Sequence, residues 1–102
     1  MIGIIDYGVG NVQAIINIYN ELNIKSCKIK DIKSLNMVSH IILPGVGSFD
    51  LALKKLYQSG LKDQLDHVVH KGIKPILGIC VGMQMMTEKS EEGKKKGLCW
   101  ID

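Results

Sequence analysis

Short strand-like runs at residues 2–5, 26–30, 40–43 and 75–79 alternate with stretches in which apolar residues recur three and four apart. That alternation leaves few folds open. Short apolar runs of this kind read as strands buried between two layers. Between the first two, Val12, Ile15, Ile16, Tyr19 and Leu22 share one helical face, which predicts a helix over 12–22. Residues 31–37 read as a short helical turn. The next helix runs to about Ser59, where Gly60 breaks it, and Ser48 or Asp50 caps its start. Leu61, Leu65, Val68 and Val69 mark a further helix that ends near Lys71 and Gly72. Another follows the run at 75–79 and continues to about Thr87, and residues 98–101 begin a fifth strand.

The resulting order is β-α-β-(α)-β-α-β-α-β. It predicts an α/β fold, a mostly parallel sheet flanked by helices on both faces. In such sheets ligands bind where loops leave the carboxyl ends of strands. Three segments qualify, residues 7–11, residues 44–48 and the turn at Cys80, and all three meet at one edge of the sheet.

With 102 residues the chain is one domain at most, or part of one, and residues 1–102 read as the N-terminal portion of a single domain. No apolar run is long enough to span a bilayer, and no basic segment precedes an apolar stretch at the N-terminus. These features point to the cytoplasm and away from a membrane. Net charge is +3, and the basic cluster Lys94-Lys95-Lys96, with Lys89 nearby and Glu91-Glu92 against it, reads as a solvated loop. It has no interleaved aromatics, so no nucleic-acid partner is expected. Cys27, Cys80 and Cys99 are an odd, widely spaced set without a C-x-x-C pair. That spacing suggests neither a disulfide framework nor a metal site. Cys27 and Cys99 read as small core residues.

Residues 78–84, Gly-Ile-Cys-Val-Gly-Met-Gln, carry the chemistry. Gly78 and Gly82 flank Cys80 in the G-x-nucleophile-x-G spacing of a sharp strand-to-helix turn, where larger side chains would strike neighbouring backbone. Placed at the start of a helix, a thiolate faces the positive end of the helix dipole. An acyl-transfer site needs two oxyanion donors. One is the backbone N–H of the residue after the nucleophile, here Val81, and the other comes from a neighbouring βα loop. The Gly-rich loop 44–48 is placed to supply it. Gln84 lies one helical turn beyond Cys80 on the same side. Residues 8–13 invite a dinucleotide reading that fails at Gln13, where a third glycine is required, and Asp31 as a ribose acid has only a chance spacing. No cofactor is expected. His40 falls at the amino end of its strand, and His67 and His70 near the end of a surface helix, so no Cys–His pair is visible.

Three motifs together resemble one family. Asp6-Tyr7-Gly8-Val9-Gly10-Asn11 is similar to its N-terminal signature, Leu43-Pro44-Gly45-Val46-Gly47-Ser48-Phe49 to its oxyanion loop, and residues 78–84 to its nucleophile elbow. Glu91-Glu92-Gly93 and Gly97-Leu98 continue the match. The family is the class I (triad-type) glutamine amidotransferases, with a flavodoxin-like fold, and within it the glutaminase subunits of histidine biosynthesis. The resemblance implies that Cys80 attacks the side-chain amide of glutamine. The N–H groups of Val81 and of the Val46 and Gly47 segment hold the oxyanion, after a peptide flip in that loop. Gln84 and Gly45 bind the glutamine. The ammonia passes to a (β/α)₈-barrel synthase (cyclase) subunit in a heterodimer, and Asn11 helps to couple the two. In the family the catalytic His and Glu come from an H-x-E segment in the second half of a domain about twice as long, and nothing in this chain matches it. The isolated chain is therefore expected to have little glutaminase activity. Two other readings stay open: delivery of ammonia to a sugar-modifying synthase, and a non-catalytic binding or assembly module.

Overall fold

The computed structural model describes residues 1–87 and 97–100. Its elements follow the alternation of the sequence: β1 (Ile2–Ile5), α1 (Val12–Glu21), β2 (Ser26–Ile29), α2 (Ile32–Asn36), β3 (His40–Leu43), α3 (Phe49–Gln58), α4 (Lys62–His70), β4 (Ile76–Gly78) and α5 (Val81–Met85). The four strands are parallel in the order β2-β1-β3-β4. Because β1 lies between β2 and β3, the chain winds outward from β1 in both directions. The loops after β1 and β3 therefore part at the switch point of the sheet, where open α/β folds form their sites.

The strands bury both faces. Ile5, Ile29, Ile41 and Leu43 join one core with Leu35 of α2, Phe49, Leu53 and Leu56 of α3, Leu65 of α4 and Met85 of α5. Ile4 and Ile42 point the other way and meet Val12 of α1. Among the described helices, α1 alone covers that second face. Beside it an apolar cleft of about 210 Å³ opens over β3 and β4, lined by Ile2, Tyr19, Ile42 and Leu77 among others. Leu77 is 58% exposed there.

Helix starts follow local chemistry. Asn11 Oδ1 accepts from Ala14 N–H (3.1 Å) and Ser48 Oγ from Leu51 N–H (3.3 Å), so Ser48 rather than Asp50 is the cap of α3. Asp31 forms a capping box with Ser34 at the start of α2. This gives Asp31 a structural role in place of the ribose-binding one.

The expected fifth strand is overturned for residues 98–100. Leu98, Cys99 and Trp100 do not extend the sheet; their N–H groups donate to the carbonyls of Met85 (2.7 Å), Thr87 (3.2 Å) and Met86 (2.8 Å). Those carbonyls lie at the C-terminal end of α5, where a helix presents its last carbonyls outward, and the passing segment donates to them. Trp100 Nε1 also donates to Asp66 Oδ1 of α4 (2.7 Å). Helix α5 ends at Met85, short of the expected Thr87. The lysine cluster, the Glu91-Glu92-Gly93 match and Ile101 lie outside the described residues.

Candidate active site at the Cys80 turn

Strand β4 ends at Gly78, and two residues later the chain turns into α5. Cys80 sits at the bend with φ 56° and ψ −123°. These are the torsions of the first central position of a type II′ turn, which normally belongs to glycine. Gly82 N–H closes the turn onto Ile79 C=O at 2.9 Å. A non-glycine residue held there stores strain, a pattern found at functional sites. The turn projects Cys80 outward, and the residue is exposed.

The flanking glycines are required by contact. A Cβ on Gly78 would lie 2.6 Å from Met83 Cα, and one on Gly82 would land on the carbonyl oxygen of Leu43. The turn is therefore pressed against the end of β3. Two hydrogen bonds seal that contact: Ile79 N–H to Leu43 C=O (3.0 Å) and Val81 N–H to Gly45 C=O (3.1 Å). Both oxyanion elements of the sequence reading thus lie beside Cys80. The Val81 N–H, however, is engaged by the carbonyl of Gly45. Gly45 is itself wedged, since a Cβ there would lie 2.7 Å from Gly82 N and 3.0 Å from the Tyr7 hydroxyl. Gly47 differs: it has φ 83° and nothing within 4 Å of a Cβ. Val46 is exposed.

Gln84 lies on α5 one turn from Cys80, and its Oε1 is buried without a hydrogen-bond partner among the described residues. A carbonyl oxygen left bare in this way is a ready acceptor for an N–H of a ligand. Sequence reasoning did not single out Tyr7. This residue of the first loop is buried, donates its phenol to Pro44 C=O (2.5 Å) and has Met85 Sδ 3.4 Å away. Burial pushes the Tyr7 phenol well above its usual range, so the group stays protonated and remains a donor. Asn11, offered as a coupling residue, has its side-chain oxygen engaged as the cap of α1.

None of the three histidines reaches Cys80. His40 is the first residue of β3, about 10 Å of strand away from the loop that follows Leu43. His67 and His70 close α4, which leads back to the amino end of β4. Cys27 packs partly buried against the larger core, as expected. Cys99 does not: it is exposed with φ 59°. The segment that caps α5 turns its side chain out of the core. Among the described residues no three His, Cys, Asp or Glu side chains cluster as metal ligands, and no helix is long and apolar enough to cross a membrane.

Comparison with known proteins agrees with this geometry. The chain is 48% identical over 101 residues to imidazole glycerol phosphate synthase subunit HisH of Leptospira interrogans, covering 99% of this chain and 50% of that protein. It is 51% identical to the protein of the same name from Leptospira borgpetersenii and 46% to that of Bdellovibrio bacteriovorus, again over 99% of this chain and 50% of each relative. The chain thus spans about half the length of these relatives. A crystal structure of a glutamine amidotransferase superposes with a TM-score of 0.79 at 18% identity, over 96% of this chain and 51% of that one, and shares the fold. The description of the SNO glutamine amidotransferase family matches residues 9–102, and the chain belongs to that family.

Proposed function

We propose that this chain carries the nucleophile half of a glutaminase that releases ammonia from glutamine for imidazole glycerol phosphate synthase in histidine biosynthesis. The observation that carries the reading is Cys80, a strained and exposed thiol at a strand-to-helix turn pressed against a Gly-rich loop. The thiolate adds to the carboxamide carbon of glutamine, and the carbonyl oxygen takes up the negative charge. Stabilising that oxygen requires free N–H donors beside Cys80. Rotation of the peptide joining Gly45 and Val46 supplies them. It withdraws the Gly45 carbonyl from Val81 N–H and turns Val46 N–H toward the same point. The open surroundings of Gly47 leave the loop room to follow. Gln84 Oε1 accepts an N–H of the bound glutamine, and Gly45 leaves space for it. The amide nitrogen takes a proton and departs as ammonia, and water hydrolyses the thioester to glutamate.

The proton donor and acceptor come from outside these 102 residues, because no histidine of the chain lies at the site. The relatives, about twice as long, are named as subunits of a synthase, which supports a partner subunit as the destination of the ammonia; a (β/α)₈-barrel partner in a cytoplasmic heterodimer is what the family resemblance implies. The test is labelling by a glutamine-derived diazoketone, mapped by peptide mass. The expected adduct is on Cys80 and is competed by glutamine. Equal labelling of Cys80 and Cys99, or no adduct on Cys80, rejects the reading and favours a non-catalytic module.

A further inference from the structure

Tyr7, in the first loop, touches both halves of the candidate site. Its hydroxyl donates to Pro44 C=O at 2.5 Å, lies 3.4 Å from Met85 Sδ of α5, and would be 3.0 Å from a Cβ on Gly45. It is 6% exposed. Pro44 C=O belongs to the peptide immediately before Gly45, and the carbonyl that occupies Val81 N–H belongs to the peptide immediately after it. We infer that Tyr7 is a positioning residue for the oxyanion loop: its phenol pins the Pro44 peptide, so that movement at Gly45 is confined to the single peptide that opens and closes the oxyanion site. The inference rests on the glutaminase reading above.

The mechanical logic is local. Counter-rotation of Gly45 ψ and Val46 φ swings the Gly45–Val46 peptide alone only if the chain before Gly45 stays still. Gly45 lacks the Cβ that would otherwise meet Gly82 N and the Tyr7 oxygen, so the pivot fits in a slot between α5 and the phenol. Without the hydroxyl the Pro44 carbonyl loses its buried partner, and the loop and α5 lose their common anchor. Val46 N–H then no longer arrives at one defined point beside Cys80.

The experiment compares two reactions of the same thiol in the full chain and in Tyr7→Phe. The p-nitrophenyl γ-ester of N-acetylglutamate acylates Cys80 through a tetrahedral oxyanion. A C–S bond forms, the C–O ester bond breaks, and p-nitrophenolate leaves as an anion without needing an acid. Iodoacetamide alkylates the same sulfur by displacing iodide, with no oxyanion. Exposed Cys99 is the internal reference, and peptide mass assigns each adduct. In the unsubstituted chain the acylation-to-alkylation ratio of Cys80 is expected to exceed that of Cys99. Tyr7→Phe is expected to lower the Cys80 ratio about five- to tenfold, the effect of one buried hydrogen bond, and to leave its alkylation rate unchanged. An unchanged ratio overturns the role of Tyr7, and so does an equal fall in both rates, which marks a merely structural residue. A Cys80 ratio no higher than that of Cys99 before any substitution overturns the glutaminase reading itself, and the role of Tyr7 with it.

Discussion

Gly82→Ala tests whether the Cys80 turn is held by backbone contact. The new Cβ would fall on Leu43 C=O, with Leu43 C at 2.9 Å and Pro44 C at 3.1 Å. All three atoms belong to the main chain at the end of β3, so no side chain can swing aside. Helix α5 must retreat until the contact regains the ~3.5 Å of ordinary packing, a shift of roughly 1.5 Å. That retreat stretches the bonds from Ile79 N–H to Leu43 C=O and from Val81 N–H to Gly45 C=O, now 3.0 and 3.1 Å. Overpacking costs about 1–3 kcal/mol, and loss of the two bonds about 2 kcal/mol together. Alanine returns about 1 kcal/mol of helix propensity. The net loss is about 2–4 kcal/mol, or roughly 10–25 °C in Tm for a domain of this size. Gly60→Ala is the matched control. Gly60 has φ 79° and nothing within 4 Å of a Cβ, so only the left-handed backbone is penalised, by about 1–2 kcal/mol. Urea unfolding followed by circular dichroism, with the slope m monitored for changes in the denatured state, gives both values. If Gly82→Ala costs no more than Gly60→Ala, the close approach of turn and loop is refuted.

Three further outcomes are expected. Cys80→Gly relieves the φ of 56°, whereas Cys80→Ala does not, so the glycine variant melts higher by about 1 kcal/mol of stability; an alanine variant of equal stability contradicts the strain. Ser48→Ala removes the cap on Leu51 N–H and costs about 1 kcal/mol by thermal melting, with Ser48→Asp recovering most of it at the positive helix end; full stability of Ser48→Ala refutes the cap. The Ser34 backbone N–H, aided by its hydroxyl, holds the Asp31 carboxyl below its usual range, so its contribution is complete above that range and is lost as pH falls below it. The Tm gap between the unsubstituted chain and Asp31→Asn should therefore narrow from pH 7 to pH 3, and a constant gap refutes the link.

Most of the scaffold was legible because the relevant forces act on neighbours in sequence. The runs ending in Ile5 and Leu43 read correctly as buried strands, since their alternate residues serve two apolar cores. Gly78 was legible for the same reason, since a Cβ there would strike Met83 a few residues on, whereas Gly82 was legible from its spacing to Cys80 although the backbone it would strike is that of Leu43 and Pro44. What failed depends on contacts between distant segments. Residues 98–100 carry strand-like residues, yet the carbonyls of Met85, Met86 and Thr87 at the end of α5 claim their N–H groups. Cys99 is turned outward by that same segment. Tyr7 reaches Pro44 and Met85, 37 and 78 positions away, and no local pattern marks such a bond. The orientation of the Gly45 carbonyl leaves no trace in side-chain identity at all.

That orientation bears on how the strained cysteine is kept in place. The turn at Cys80 is clamped on both sides, by Ile79 N–H on Leu43 C=O and by Val81 N–H on Gly45 C=O. On the proposed mechanism the second clamp must open before the oxyanion can form, because the same N–H cannot serve both acceptors. Opening the site therefore removes one of the two bonds that clamp the strained turn to the end of β3 and its loop, at the moment when Cys80 must stay aligned. What remains is the turn's own bond from Gly82 N–H to Ile79 C=O, the Leu43 bond, the contact of Gly82 with the end of β3, and the Tyr7 hydroxyl joining Pro44 to the vicinity of Met85. A bound oxyanion would restore a partner to Val81 N–H and so replace the lost clamp. On that proposal the oxygen of glutamine and the Gly45 carbonyl would compete for one donor, and the closed loop would hold the nucleophile in place until the substrate oxygen displaces it.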